Sequence, residues 1–380
     1  MIIQSKRVYF EEKLQPLQLK IESGKIVDIY PYKQFKVDKD YKDYIIMPGL
    51  IDIHNHGYNL GDNNHATEKW LKEWTSYLPS EGVTSTLSTI SSNPKDTLLK
   101  ALKNIGKYID GKHDGAQILG VYEEGPFISS GKERGAQEVE YQIIPDKKVI
   151  DEFNNACNGH LIYVMIAPEM LKGKYDVIDY CRSKGMAVAL GHTGATFDIC
   201  KKAIAHGANS FTHTYNGMKG LHHREPGVVG AAMYFDNCYA ECIADNVHVN
   251  DIAANALAKT KGKDRFIIVT DSIGLKGLPI GKYTMKTGQI RIVCEDNVAR
   301  LENGTLSGSC NKLNLVLRNA IKNANIDLVT ALNAVTINPM RLLGIKNKGL
   351  IEKGYDADIA VFDDDFNTKA TYIGGKLWSK

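Results

Sequence analysis

Two histidines, His54 and His56, close an apolar run that begins at Ile45. In an extended strand, residues i and i+2 face the same side. Both imidazoles are therefore presented together, and such a pair makes one half of a site for a zinc, iron or manganese ion. One His-x-His pair has little weight alone. Its weight comes from repetition along the chain. Glu123-Glu124 stands before Gly125-Pro126, His192 follows Gly191, His213 follows Thr212 and Asp271 follows Thr270. Each of these closes an apolar run. If the run ends meet at one mouth, His54, His56, Glu124, His192 and His213 can surround a divalent ion. Asp271 then stands beside it as a proton shuttle. Such an ion lowers the pKa of water to about 7 and polarises a carbonyl. A carboxylate can take the water's proton and hand it to a leaving amine. The chemistry is hydrolysis of an amide, an ester or a related bond.

A second set of polar residues is unsuited to metal. It comprises Asn216-Gly217-Met218, the segment His222 to Gly227 with Arg224 inside it, and Asp245 to His248. Arginine and histidine beside a glycine N–H can receive a phosphate or carboxylate. From chemistry alone, a surface loop with scattered charges is an equal reading. His65, His113, His160 and His206 fit no pattern and read as structural or exposed.

The run ends converge only in certain folds. Strand-like runs are expected at Ile45–His54, Val83–Ile90, Gln117–Glu124, Leu161–Ala167, Met186–Gly191, Asn209–Thr212, Tyr239–Ala244 and Phe266–Thr270. Helical periods are expected at Ala66–Leu78, Lys95–Ile109, Asp146–Cys157, Lys174–Ser183, Phe197–His206, Asp251–Lys261 and Lys312–Asn323. This α/β alternation predicts a (β/α)8 TIM barrel, whose catalytic groups sit at the C-terminal strand ends. A doubly wound open sheet competes. No Gly-x-Gly-x-x-Gly follows the first internal strand, which argues against a dinucleotide-binding version. The strand-rich chain ends, at Ile2–Tyr9, Leu17–Glu22 and Lys25–Tyr30 and again from Ala357, are expected to pair into a small β-sandwich. The expected division is 1–46 with 345–380 for that sandwich and 47–344 for the barrel. Tyr283–Leu301 reads as a strand-rich insertion after the eighth barrel strand.

Composition sets the outer limits. At 380 residues and 43% hydrophobic, the chain can bury a large core, which excludes disorder. Basic and acidic residues number 47 and 44, a net charge of +3, so neither a nucleic acid nor a membrane surface is implied as partner. The seven cysteines form no Cys-x-x-Cys pair, which speaks against a disulfide framework or a thiolate zinc site. Met1 to Phe10 has no apolar export segment, and no run approaches the ~20 residues of a membrane span. A cytoplasmic location is expected.

The motifs resemble one family. Pro48 to Gly57, with its His54-Asn55-His56, is similar to the first-strand motif of the amidohydrolase superfamily, and Gly349 to Asp363 to its return into the small β domain. The resemblance narrows to the N-acetylglucosamine-6-phosphate deacetylases. It rests on Glu124-Gly125-Pro126-Phe127, Gly191-His192-Thr193, Thr212 to Met218, Arg224 to Gly227, Asp245 to Val249, Thr270-Asp271 and Leu306 to Ser309, which occur in the family's order across nearly the whole chain. The resemblance implies removal of an acetyl group from a sugar phosphate. It makes Glu124, His192 and His213 principal metal ligands and Asp271 the catalytic acid/base. It makes Asn216, the Gly217 N–H, Arg224, His248 and Ser307 substrate contacts. It also implies a homodimer in which the neighbouring subunit can contribute to the phosphate pocket.

Three positions depart from parts of the family. Some branches replace the first-strand pair with Gln-x-Asn and hold one metal, whereas His54 and His56 are retained here, so one or two ions per subunit are implied. Gln137 stands where some branches have a histidine near the acetyl oxygen; an amide can donate a hydrogen bond there but cannot titrate. Gly217 replaces a commoner alanine, a change expected to matter little if only its N–H is used. The rival readings are the same chemistry on N-acetylgalactosamine 6-phosphate, a cyclic-amide hydrolase of the same superfamily and a non-catalytic sugar-phosphate sensor. The second usually carries a carboxylated lysine at a strand end, and no lysine stands at a matching position here. The sensor would require a lost catalytic group, and all are present.

Overall fold

The run from Ile45 to His54 is two strands, not one. In the computed structural model, which describes residues 1–285 and 288–379, Ile45–Pro48 pairs antiparallel with Ile359–Phe362. Leu50–Asp52 instead pairs parallel with Val83–Ile90. The chain changes sheets at Gly49. The Gly49 N–H donates to the Asp358 carbonyl at 2.8 Å, and the Leu50 N–H donates to the Gly82 carbonyl at 2.9 Å. A Cβ on Gly49 would lie 2.2 Å from the Thr84 side chain, so only glycine allows this close approach. The apolar pattern hid the break because both sheets bury their strand at this point.

Eight parallel strands follow one another around the second sheet in chain order. They are β1 (Leu50–Asp52), β2 (Val83–Ile90), β3 (Gln117–Glu123), β4 (Leu161–Ile166), β5 (Ala187–Leu190), β6 (Ser210–Phe211), β7 (Tyr239–Cys242) and β8 (Phe266–Ile268). Each strand pairs with the next, with no reversal of order, which removes the doubly wound alternative. The helices between them are α1 (Glu68–Tyr77), α2 (Lys95–Ile109), α3 (Lys147–Ala156), α4 (Asp176–Ser183), α5 (Phe197–Ala205), α6 (Gly227–Tyr234) and α7 (Asp251–Arg265); α8 (Leu313–Lys322) follows β8. Helix α6 was not expected from the sequence. Gly227 to Ala232 are all buried, so this helix shows no polar face from which a period could be read. Two short helices, Leu328–Ala334 and Ile337–Leu343, were also not expected.

The strands are buried on both sides, as parallel strands under helices must be. Ile51, Ile53, Leu87, Tyr122, Tyr163, Met165, Ile267 and Val269 belong to the inner cluster. Their neighbours Val121, Val164, Ile166, Val188 and Ile268 pack outward with Leu98, Leu102 and Ile178 of the helices. Beyond β8 the chain meets the continuation of β1. The Asp271 N–H donates to the His54 carbonyl at 2.9 Å, and Asn55 and Ser272 form a parallel bridge. The Thr270 hydroxyl donates to Asp52 Oδ2 at 2.6 Å. The seam of the barrel thus lies among the residues singled out for chemistry.

The two chain ends build the small β domain. Its eight-stranded sheet covers a core that includes Ile3, Leu19, Ile46, Ile359, Val361 and Tyr372. After β8, four antiparallel strands form the expected insertion: Gly281–Thr284, Ile290–Val293, Val298–Leu301 and Leu306–Ser309. Residues 286–287 of the expected Tyr283–Leu301 segment lie outside the described residues.

Candidate metal centre and substrate cavity

Three of the residues predicted to do chemistry have a left-handed backbone. His192, His213 and Asp271 have φ of 43°, 29° and 48°. Each lies two or three residues beyond its strand, β5, β6 and β8. Non-glycine residues adopt this region at a cost and cluster at functional sites when they do. Here the turn past each strand end carries its side chain into a common centre.

That centre is built on Glu124, one residue past β3. His192 Nε2 and His213 Nε2 both lie 2.9 Å from Glu124 Oε1, and 3.2 Å from each other. On the other carboxylate oxygen, Oε2, His56 Nε2 lies at 3.3 Å. His54 Nε2 is 3.2 Å from His56 Nε2 and 3.6 Å from Glu124 Oε1. Asp271 Oδ1 is 3.1 Å from His56 Nε2 and 3.6 Å from His54 Nε2. All six side chains predicted from strand ends are therefore together. Their ligand atoms form two groups able to hold a metal ion, His54–His56–Glu124 and Glu124–His192–His213, which share Glu124.

The imidazole tautomers suit metal binding. His192 Nδ1–H donates to the Glu133 carbonyl at 2.9 Å, and His54 Nδ1–H donates to Glu241 Oε2 at 3.0 Å. Both rings then turn the Nε2 lone pair inward, the arrangement that metal-binding histidines use. The electrostatics agree. Burial would push the Glu124 carboxyl up, but His192 and the other imidazoles hold it well below the usual range. Burial likewise acts upward on Asp271, and His54 and His56 pull it down to about 2. Burial acts downward on His56, yet Asp271 and Glu124 push it up to about 9. The buried carboxylates thus draw positive charge into the cluster, which is the charge a divalent cation brings.

A cavity of about 380 Å³ opens over the cluster. Gln137 lines it. The Ser92 backbone N–H donates to Gln137 Oε1 at 2.9 Å, and the Ser92 hydroxyl donates to the same oxygen at 2.6 Å. With its oxygen fixed, the amide leaves Nε2 buried and without a partner among the described residues. His248 is similar. Its Nδ1–H donates to Asp245 Oδ2 at 2.8 Å, and its buried Nε2 has no partner among the described residues. The buried Ser307 hydroxyl is also unpartnered among the described residues. Asn216, Gly217, His248 and Ser307 all line the cavity.

Two of the predicted contacts have particular surroundings. Gly217 has φ +58°, and a Cβ there would lie 2.8 Å from both the Glu133 carbonyl oxygen and His192 Nδ1. A methyl group there would press on the bond that orients His192, so glycine suits this turn whether or not its N–H meets substrate. Arg224 is exposed on the turn from His222 to Glu225 and is not among the residues lining the cavity of its own chain. Two further residues went unnoticed in the sequence. Arg291, from the inserted sheet, lines the cavity, and nothing in its local pattern marks it. Glu241 lies beneath His54, and its signal was legible: it is the sole acidic residue in the apolar run Tyr239–Ala244.

Residues 45–378 match the model of the amidohydrolase family. The chain belongs to that family. Among amidohydrolase relatives, an N-acetylglucosamine-6-phosphate deacetylase from Lysinibacillus sphaericus is 34% identical over 332 residues, covering 87% of this chain and 85% of the relative. An N-acetylgalactosamine-6-phosphate deacetylase from Escherichia coli O157:H7 is 30% identical, covering 100% of this chain and 99% of its own length. Among solved amidohydrolase structures, a variant N-acetyl-D-glucosamine-6-phosphate deacetylase from Mycobacterium smegmatis, in complex with N-acetyl-D-glucosamine-6-phosphate, superposes with a TM-score of 0.93. It is 27% identical and covers 100% of this chain and 99% of its own. As an amidohydrolase, the chain carries His/Glu groups able to bind a metal. Among the described residues, no helix is long and apolar enough to cross a membrane.

Proposed function

We propose that this amidohydrolase removes the acetyl group from N-acetyl-D-glucosamine 6-phosphate, giving D-glucosamine 6-phosphate and acetate. The observation that carries the reading is Asp271 at 3.1 Å from His56, beside two metal-binding groups that share Glu124. The barrel, which the chain enters at Gly49 rather than at the expected residue 47, carries the chemistry as far as 344, and 1–48 with 345–380 form the supporting β domain. Glu124, His192 and His213 would hold one divalent ion of the zinc, iron or manganese class, and His54 and His56 with Glu124 would hold the second where two are bound. When bound, these ions acidify water and polarise the acetyl carbonyl.

The rest is done by the chain. Asp271 takes a proton from the attacking water as the C–O bond forms. It then gives that proton to the sugar nitrogen as the C–N bond breaks, which leaves a free amine and acetate. Gln137 Nε2–H donates to the carbonyl oxygen as negative charge develops there. Gln137→Ala is expected to lower kcat about 10–100-fold with little change in KM, read by steady-state acetate release. An unchanged kcat would remove Gln137 from this role.

Asn216, the Gly217 N–H, Ser307 and His248 hold the sugar phosphate. Burial acts downward on His248, but the bond to Asp245 raises its pKa, which favours the charged form that pairs with phosphate. His248→Asn is expected to raise KM for the phosphorylated substrate at least about tenfold, with a smaller effect on the unphosphorylated sugar. Equal effects on both substrates would place His248 elsewhere. The exposed position of Arg224 supports a homodimer in which Arg224 of the partner subunit completes the phosphate site.

The end-to-end likeness to an N-acetylgalactosamine-6-phosphate deacetylase favours a second reading, the same reaction on the 4-epimer. Acetate release from both sugar phosphates and from unphosphorylated N-acetylglucosamine, run in parallel, separates the two. The first reading expects the highest kcat/KM on the glucosamine compound. Faster turnover of the galactosamine compound would transfer the assignment to the epimer.

A further inference from the structure

Strand β7 places one acidic side chain in the barrel interior. Alternation accounts for its direction: Tyr239 and Ile243 belong to the inner cluster, Ala240 and Cys242 to the outer one, and Glu241 shares the parity of the inner pair. Glu241 is fully buried. No lysine or arginine pairs with it among the described residues; its one ionic partner is His54.

Three donors converge on the carboxylate. His54 Nδ1–H donates to Oε2 at 3.0 Å, and the His213 backbone N–H donates to the same oxygen at 3.1 Å. The Tyr163 hydroxyl donates to Oε1 at 2.8 Å. One side chain therefore joins the first-strand histidine to the strained turn that carries His213. The remaining imidazoles are held differently. His192 Nδ1–H rests on a neutral backbone carbonyl, and His213 Nδ1 has no partner among the described residues. Within the cluster, His54 is the ring backed by a buried carboxylate.

A carboxylate behind an imidazole fixes its tautomer, directs the other nitrogen inward and makes that nitrogen a stronger ligand. It also adds a negative charge that only cations within the cluster can balance. We propose that Glu241 is the positioning residue for the His54–His56–Glu124 half of the centre, and that its charge decides whether the chain holds two ions or one. The inference rests on the metal-dependent reading of the cluster given above.

Glu241→Gln isolates the charge. With its oxygen toward His54 and His213, the amide NH₂ faces Tyr163, whose hydroxyl can accept that bond and donate onward to Ser210 Oγ, 2.9 Å away. All three contacts survive while the negative charge is lost. The experiment is zinc titration of the stripped full-length protein by equilibrium dialysis, with elemental analysis of the loaded protein and ¹⁵N-histidine spectra of the ring tautomers. Wild type is expected to take up two ions per chain. Glu241→Gln is expected to keep the tighter ion with unchanged affinity and to bind the other about 10–100-fold more weakly. The His54 ring should keep its Nδ1–H tautomer, because the amide oxygen still accepts that bond, so the weakening reads the lost charge alone. Tyr163→Phe removes a bond to the same carboxylate but no charge, and should keep both ions, which separates positioning from general disturbance of the barrel interior. Two ions of unchanged affinity in Glu241→Gln, or equal weakening of both, would overturn the proposal. So would a wild type that holds only one ion. A wild type that binds none would overturn the metal reading itself.

Discussion

Asp271→Asn is expected to lower acetate release from N-acetylglucosamine 6-phosphate by about 10²–10⁴-fold while the metal content stays at the wild-type value. The geometry accounts for both halves of that result. Neither metal-binding group of the cluster includes Asp271, so an ion can be held without it. Its backbone is tied on both sides: its N–H donates to His54 O at 2.9 Å, and its carbonyl accepts from Ser309 N–H at 3.0 Å. An asparagine of the same shape keeps these bonds and so keeps the seam of the barrel. What it loses is the capacity to accept the water's proton and return it to nitrogen. Substrate contacts lie elsewhere in the cavity, so KM should move little. Steady-state kinetics and elemental analysis on one preparation check the prediction. Turnover within a few-fold of wild type would remove Asp271 as the shuttle. Joint loss of metal and turnover would make it a ligand instead.

Glu124→Ala is expected to have the largest effect on metal content. Its two oxygens face different histidines, Oε1 toward His192 and His213 and Oε2 toward His56. Removing the shared carboxylate leaves two imidazoles in each half and no anion between them. Metal per chain should fall below one, and turnover should become undetectable even with added zinc. Burial forbids a simple substitute, since Glu124 is 3% exposed and a water would have to bring the missing negative charge with it. Elemental analysis after dialysis against micromolar zinc reads the outcome. Retention of a full ion would show that the histidines alone suffice, and would contradict the shared-ligand account.

The sequence made the convergence legible because a barrel converts strand order into position. His54, Glu124, His192, His213 and Asp271 each end an apolar run, and parallel strands bring all such ends to one mouth. Other features were not legible, for specific reasons. The change of sheet at Gly49 left the apolar run unbroken, since both sheets bury that segment. Helix α6 is buried along most of its length and so has no period to read. The place of Arg224 depends on where a loop travels after β6, and local pattern does not encode that. Glu241 could have been found, because a single carboxylate in an apolar strand needs a buried partner. The strain at His192, His213 and Asp271 has no sequence signal at all, since non-glycine residues give no warning of a left-handed turn.

The measurement closest to the central claim is acetate release from N-acetylglucosamine 6-phosphate by the full-length protein before and after metal is stripped and restored. The account predicts one acetate and one glucosamine 6-phosphate per substrate consumed, loss of turnover on stripping and recovery on adding zinc, iron or manganese. Undiminished release by the stripped protein would contradict the metal's part in the reaction. Absence of release from the fully loaded, folded protein would contradict the deacetylase assignment.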